Sequence, residues 1–167
     1  MLGDRWGVGD DEVARRYPCD DLVVRPSLSA WRGVTVNTSA ARVWPWVVQI
    51  RWAPYSYDWI DNRGRKSPRE LIDGPPPQPG DPYSRSGGKP VGRVIAVDPE
   101  VHYTAQVLGA FLTYELISVD ERTTRLVLKF VLKGSRWLAP FISVGDLVMA
   151  RRQLLNLKDL AEANSPD

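Results

Sequence analysis

The chain has 167 residues, of which 43% are hydrophobic and 25% charged, a composition typical of one globular domain and unlike that of disordered proteins. Lysine and arginine exceed aspartate and glutamate only by 22 to 20, so we expect no nucleic-acid partner. The single cysteine, Cys19, excludes an intrachain disulfide, and the single histidine, His102, excludes a multi-histidine metal site. We therefore expect neither a metal nor any other cofactor.

The N-terminal residues 1–27 are polar and mixed in charge, and they end in a segment punctuated by Pro18 and Pro26. They are predicted to form an arm that packs on a single domain of residues 28–164. The first residues lack the apolar core of a signal peptide, and no apolar run is long enough to cross a bilayer. We expect a cytoplasmic protein without stable membrane insertion.

The first predicted strand is "LSAWRGVTV", which is rich in strand-forming residues. Asn37 or Thr38 is a suitable N-cap for a helix that begins at about Ser39 and continues through "AARVWPWVVQI". Pro45 removes one backbone hydrogen bond from this helix, which should therefore be short or kinked. After Pro54, "YSYDWI" predicts a second short helix or a turn.

Residues 73–90 are predicted to form one long loop. The five prolines of "GPPPQPGDP" exclude a central strand and a helix interior. Loops of this length are typical of lids, binding loops or locally mobile segments.

The second half of the chain predicts an antiparallel meander followed by a helix. The strand-like segments "VGRVIAV", "VHYTAQV", "FLTYELISV" and "TTRLVLKFVLK" are joined by connections too short for parallel crossovers. A long helix is predicted to begin near Pro140, with an apolar stripe at Val144, Leu147, Val148, Leu154 and Leu155. The predicted fold class is α+β.

Five segments together, "VWPWVVQI", "YSYDWIDN", "SPREL", "TTRLVLKF" and "MARRQLLNLKDLAE", resemble an actinobacterial branch of the START-like (SRPBCC) superfamily. The similarity runs from about Asp20 to Ala163. It implies a helix-grip fold, in which a curved antiparallel sheet of six or seven strands wraps around a long C-terminal helix, with two short helices after the first strand. A departure from the pattern is the second strand, whose expected place is occupied by the proline-rich loop.

The resemblance also implies a large apolar cavity between sheet and helix, reached past the two short helices. The aromatic segment "WAPYSYDWIDN" would lie at its mouth. Core packing is the commoner fate of any single ring, but at least one of these rings is expected to reach the cavity. The candidate cavity residues are Trp46, Trp52, Tyr55, Tyr57, Asp58, Trp59, Tyr114, Phe130, Val148, Arg151 and Leu155.

Charged candidates admit more than one interpretation. Asp58 and Asp61 could form a carboxylate pair, but capping of turns and pairing with nearby arginines is the commoner role. Arg151 falls within the predicted apolar stripe. It could pair with Asp58 or Asp61, contact an anionic group of a ligand, or lie at the edge of the stripe and extend to water. No residue is assigned as catalytic.

Three functions compete. The first is binding of a hydrophobic small molecule, such as a lipid, polyketide or aromatic metabolite, by a carrier or sensor. The second is a polyketide cyclase or dehydratase, for which Tyr55, Tyr57 and Asp58 are the available proton-transfer groups. The third is a regulator that docks on an unspecified protein through its arm or its proline-rich loop. The resemblance favours binding, because binding requires the cavity and little else.

Overall fold

The computed structural model describes residues 4–133 and 139–163, leaving aside the side chains of residues 61 and 139–147. Four α-helices are present in this part of the chain: α1 (Asp10–Ala14), α2 (Ala40–Val48), α3 (Asp58–Asp61) and α4 (Ala139–Ala163). Two 3₁₀ turns cover Pro18–Leu22 and Gln49–Arg51. The strands are β1 (Arg5–Trp6), β2 (Leu28–Val36), β3 (Ser84–Ser86), β4 (Lys89–Val91), β5 (Arg93–Asp98), β6 (His102–Val107), β7 (Ala110–Asp120) and β8 (Thr123–Leu132).

Six strands form one mixed sheet in the order β1-β2-β8-β7-β6-β5. Strands β5 to β8 follow one another as an antiparallel meander, β2 pairs antiparallel with β8, and β1 pairs parallel with the outer edge of β2. The hairpin between β6 and β7 turns at Leu108 and Gly109, whose φ angles of 48° and 80° suit a tight two-residue turn. The α+β class, the meander and the C-terminal helix near Pro140 are thus confirmed.

The helix after the first strand begins later than the sequence predicts. Its N-cap is Ser39, and Asn37 and Thr38 precede the cap. Thr38 is buried, and its carbonyl oxygen accepts a hydrogen bond from Thr124 Oγ1, so this residue joins the turn to β8. Pro45 lies inside α2, which is short and ends in a 3₁₀ turn.

The proline-rich segment is only partly a loop. Its last residues form the hairpin β3–β4, a separate two-stranded sheet that turns at Gly87 and Gly88, both with positive φ. The prediction of a loop as far as residue 90 is therefore wrong for this stretch. Pro90 lies in a strand of this small sheet, where a missing backbone donor is tolerated.

The inner face of the sheet and the buried face of α4 form the main core. Alternate residues of β7 and β8 enter it, and α4 packs against β2 and α2. The buried residues of α4 recur at helical spacing, at Ala150, Gln153, Leu154, Leu157, Leu160 and Ala161. Within residues 4–133 and 139–163, no helix is both long and apolar enough to cross a membrane.

The predicted stripe on α4 is displaced from the observed one. Val148 is 49% exposed and Arg151 is exposed, whereas Leu154 is fully buried and Leu155 packs at the edge of the core. Val144 and Leu147 lie among the residues whose side chains are not described. The sequence prediction of Val148 as a core-facing residue is wrong because the helix buries the face that contains Gln153.

The outer face of the sheet is covered by the N-terminal segment. Tyr17, Cys19 and Val23 pack against Val127 and Val131 of β8. Two ion pairs join the same surfaces. Glu12 Oε2 lies 2.8 Å from Arg125 Nη2, and Asp20 Oδ1 lies 2.5 Å from Lys129 Nζ.

Candidate functional site

A cavity of about 560 Å³ lies between the inner face of the sheet, α4 and the β3–β4 hairpin, and it is larger than two other pockets along α4, of about 440 and 300 Å³. Pro54 and Ser56 close one side, and the β6–β7 turn contributes Val107 and Leu108. The remaining lining residues are Tyr83, Ser84, Arg85, Ser86, Val91, Leu112, Tyr114, Leu128, Phe130, Met149, Ala150 and Gln153.

The sheet supplies the apolar wall of this cavity. Leu112 of β7 is paired with Phe130 of β8. Leu128 lies two residues before Phe130, on the same face of β8. Successive inward residues of a strand are two positions apart, so a regular apolar alternation in two neighbouring strands makes a continuous apolar patch. The hairpin and α4 contribute most of the polar side chains, Ser84, Arg85, Ser86 and Gln153, and β7 adds the hydroxyl of Tyr114.

Three polar side chains of the cavity form one hydrogen-bonded network. Gln153 Nε2 donates to the carbonyl oxygen of Pro54 at 2.6 Å, which fixes the orientation of the amide. Gln153 Oε1 then accepts from Tyr114 Oη at 2.5 Å. Because the only hydroxyl proton of Tyr114 is used there, Tyr83 Oη must be the donor in the 2.8 Å bond between the two tyrosines.

A third tyrosine, Tyr103, packs behind this network. Its ring centroid lies 6.2 Å from that of Tyr83 and 6.5 Å from that of Tyr114. Its side chain is fully buried, and among the described residues its hydroxyl has no hydrogen-bond partner. Burial raises the pKa of Tyr103 far above its ordinary value, so this hydroxyl stays protonated.

Arg85 is the only charged side chain among the described residues that line the cavity. Its guanidinium carbon lies 5.7 Å from the centroid of the Trp52 ring, and the guanidinium of Arg51 lies 5.0 Å from the same ring. Arg85 Nη1 donates to the carbonyl oxygen of Gly88 at 3.2 Å. The guanidinium groups of Arg85 and Arg51 therefore both lie against the indole of Trp52, beside the cavity.

A second pocket of about 440 Å³ lies on the other side of Ser56, and its surface is about equally polar and apolar. Tyr57, Asp58 and Trp59 contribute to its lining, and Trp59 is 75% exposed. The Asp58 carboxylate accepts two hydrogen bonds from Ser67, at 2.8 Å from the backbone nitrogen and 2.5 Å from Oγ. Asp58 thus ties a turn together, which is the commoner role foreseen for it.

A third pocket of about 300 Å³ lies along the exposed side of α4 and includes Val148, Arg151 and Leu155. The guanidinium of Arg151 lies 5.1 Å from the centroid of the Trp6 ring. Asp58 bonds to Ser67 and not to Arg151, and the side chain of Asp61 lies outside the described residues. Of the alternatives for Arg151, the position at the edge of the stripe agrees with its exposure.

The structure thus distributes the predicted site residues over several places. Tyr114 and Phe130 line the 560 Å³ cavity. Trp46 and Tyr55 are buried in the core, where Tyr55 Oη accepts from Gln49 Nε2 at 2.6 Å, and Trp52 stacks with arginines. The two smaller pockets are lined by seven of the predicted residues: Tyr55, Tyr57, Asp58, Trp59, Val148, Arg151 and Leu155.

Sequence reasoning did not identify Tyr83, Arg85 or Gln153. Gln153 carried a recognisable signal, because it is a polar residue three positions after Ala150 and four before Leu157, on the face that the helix buries. Tyr83 and Arg85 carried none, because they follow a proline-rich segment that predicts a loop. In the described portion of the chain, no three potential metal-ligating side chains come together.

Comparison with solved structures supports the fold. A protein from Mesorhizobium loti superposes with a TM-score of 0.55 at 14% identity, over 83% of this chain and 99% of that one. A protein from Nitrosomonas europaea gives 0.54 at 12% identity, over 84% and 97%, and one from Thermobifida fusca gives 0.53 at 19% identity, over 81% and 93%. All three are structural-genomics targets, and at these identities the similarity extends to the fold alone. No protein-family model and no curated protein matches the chain.

Proposed function

We propose that this protein binds a hydrophobic small molecule in the 560 Å³ cavity, as a carrier or sensor, on a START-like helix-grip fold. The observation that carries the proposal is the composition of the cavity, in which a continuous apolar wall faces a small set of positioned polar groups. Small-molecule sites commonly have volumes of about 300–1,000 Å³ and this division between apolar surface and a few polar anchors.

The helix-grip assignment is supported by the order of the elements. A strand, two short helical segments, a hairpin, an antiparallel meander and a long C-terminal helix follow one another as the START-like resemblance implies. The hairpin β3–β4 occupies the place where the sequence lacks a clear second strand. The position of the cavity, between α4 and the inner face of β7 and β8, also agrees with that fold.

The geometry suggests how a ligand would lie. Its apolar body would contact Leu112, Leu128 and Phe130, with the burial of apolar surface as the main driving force. A polar group of the ligand would lie toward Gln153 and the hairpin, where side chains are already held by hydrogen bonds. Such preorganisation lowers the entropic cost of binding.

The alternative, a polyketide cyclase or dehydratase, has less support. Its three candidate proton-transfer groups, Tyr55, Tyr57 and Asp58, line the second pocket and not the large cavity, and Tyr55 Oη also accepts a hydrogen bond from Gln49. Within the large cavity, Tyr114 donates its proton to Gln153. Because catalysis requires a proton-transfer group within reach of the substrate, the described side chains favour binding.

The proposal can be tested with the neutral fluorescent probe N-phenyl-1-naphthylamine and by native mass spectrometry of the purified protein. We expect saturable probe binding, and a mass adduct where the host supplies a ligand. Ala150→Phe fills the cavity from α4 and should weaken probe binding at least about tenfold, which corresponds to a loss of about 1.4 kcal/mol.

Val148→Phe is the matched control, because it adds an aromatic ring to the same helix outside this cavity. Circular dichroism establishes that both variants fold, and Phe130→Trp provides a second cavity-filling variant should Ala150→Phe unfold. A wild-type protein that carries no adduct and binds no probe would contradict the proposal. Equal binding by the two α4 variants would place the probe elsewhere and count against it.

A further inference from the structure

Arg85 lacks a carboxylate partner among the described residues, unlike the buried and half-buried cations on the outer face of the sheet. Arg125 pairs with Glu12, and Lys129 pairs with Asp20. Neither Arg85 nor Arg51 forms a salt bridge with any carboxylate in the described residues. Because Arg85 is half-buried, its guanidinium loses part of its hydration without recovering it from a protein anion.

The Arg85 guanidinium retains a donor that no described protein group uses. Nη1 is used by the carbonyl oxygen of Gly88, whereas Nε is buried with no hydrogen-bond partner among the described residues. Nη2 forms no hydrogen bond with a described residue, and its N–H groups can donate to a carboxylate oxygen. Stacking on Trp52 restricts rotation of the group and covers one of its faces.

The neighbouring Arg51 strengthens this positive field. Its guanidinium contacts the same indole, and its Nε is likewise buried with no hydrogen-bond partner in the described part of the chain. Two like charges near one ring repel each other, and an anion between or beside them would relieve that repulsion. Both observations call for a negative charge supplied from outside the described protein residues.

We propose that the ligand of the large cavity is an amphipathic carboxylic acid whose carboxylate pairs with Arg85. This inference rests on the proposed binding function and specifies its ligand class. The apolar part of the acid contacts the wall formed by Leu112, Leu128 and Phe130. The carboxylate accepts a hydrogen bond from Nη2 of Arg85, within the field of Arg51.

Decanoate and decanol separate the effect of charge from that of the chain, because they share the same length. At pH 8 decanoate is fully ionised. Isothermal titration calorimetry on the wild-type protein should give at least about tenfold tighter binding of decanoate than of decanol, since hydrogen bonds to charged groups contribute about 1.5–3 kcal/mol. Arg85→Gln should remove most of this difference by weakening decanoate and leaving decanol within about twofold of its wild-type affinity.

Arg93→Gln is the matched control, because Arg93 is an exposed arginine whose Nε donates to Gln106 on the sheet edge. It should leave both affinities unchanged. Equal wild-type affinities for decanoate and decanol would overturn the carboxylate proposal while leaving cavity binding intact, provided that Ala150→Phe abolishes both. An equal loss of both probes in Arg85→Gln would also overturn it, because it would give Arg85 a structural role. Failure of both probes to bind the wild-type protein would overturn this inference together with cavity binding.

Discussion

The two sides of the six-stranded sheet differ in how their cationic side chains are paired. On the outer face, the buried Lys129 is held between the rings of Tyr17 and Trp31 and paired with Asp20, and Arg125 is paired with Glu12. On the inner side, the cavity leaves Arg85 without a carboxylate partner among the described residues, and the Tyr103 hydroxyl behind it has no hydrogen-bond partner there. The described cations of the outer face are paired within the chain, whereas Arg85 has no carboxylate partner among the described residues.

The largest expected effect comes from breaking an outer-face pair. Asp20→Asn leaves Lys129, whose side chain is 7% exposed, without its carboxylate, and should lower the free energy of unfolding by about 3 kcal/mol. Asp21→Asn is the matched control at the neighbouring position, since the Arg16–Asp21 pair is exposed and should contribute little to stability. Chemical denaturation measures both variants. Equal, small losses would mean that the arm contributes little to stability.

A smaller effect should follow from removing one hydroxyl of the cavity network. Tyr114→Phe deprives Gln153 Oε1 of its donor and Tyr83 of its acceptor, and should lower the free energy of unfolding by about 1–3 kcal/mol. Tyr103→Phe removes a buried hydroxyl that has no hydrogen-bond partner in the described residues, so it should be neutral or slightly stabilising. Thermal unfolding of the two variants compares a satisfied polar group with an unsatisfied one. A larger loss for Tyr103→Phe would reverse the roles assigned to the two tyrosines.

The smallest effect concerns acid stability. Burial would by itself raise the pKa of Glu12, but hydrogen bonds from Arg125 and from the Gly9 amide hold the pKa below its ordinary value of 4.5. A lowered folded-state pKa contributes stability above the unfolded pKa, and this contribution is lost as the pH falls through the folded value. Glu12→Gln should therefore flatten the decline in stability between about pH 5 and pH 3.

The quantity to compare is the difference in the free energy of unfolding between the wild type and Glu12→Gln, measured at the same pH. The lowered pKa of Glu162 and the raised pKa of Glu115 affect both proteins equally and cancel in that difference. Denaturation curves at a series of pH values provide the measurement. If the difference in the free energy of unfolding does not change with pH, the stability of the Glu12–Arg125 pair is not linked to protonation of Glu12.

The parts of the fold that could be predicted from sequence are those in which apolar residues recur at a regular spacing. The alternation of Leu126, Leu128 and Phe130 fixes which face of β8 is inward, and that pattern identified Phe130 and, by the same reasoning, Tyr114. The long helix was predictable, but its rotation was not. Its apolar residues are spread around the helix, and the choice between faces that contain Val148 or Gln153 depends on contacts with β2 and α2.

The hairpin β3–β4 and the three missed cavity residues illustrate a second limit. A hairpin of three-residue strands that contains Pro90 has almost no local signal, because its position depends on packing against the rest of the chain. Ser84 Oγ, for example, donates to the carbonyl oxygen of Ile50, 34 residues earlier in the chain. The aromatic segment 52–62 drew attention through its composition, yet none of its four rings lines the 560 Å³ cavity, so the expectation that at least one ring would reach it is wrong.

The parallel strand β1 has a consequence for self-association. It covers part of the β2 edge through the pairs Arg5–Trp31 and Trp6–Arg32, and the amide of Trp31 donates to Asp4 at 2.7 Å. An open strand edge is a template on which a second polypeptide can add and begin to aggregate. By occupying that edge with residues of the same molecule, the arm protects the sheet against intermolecular strand addition.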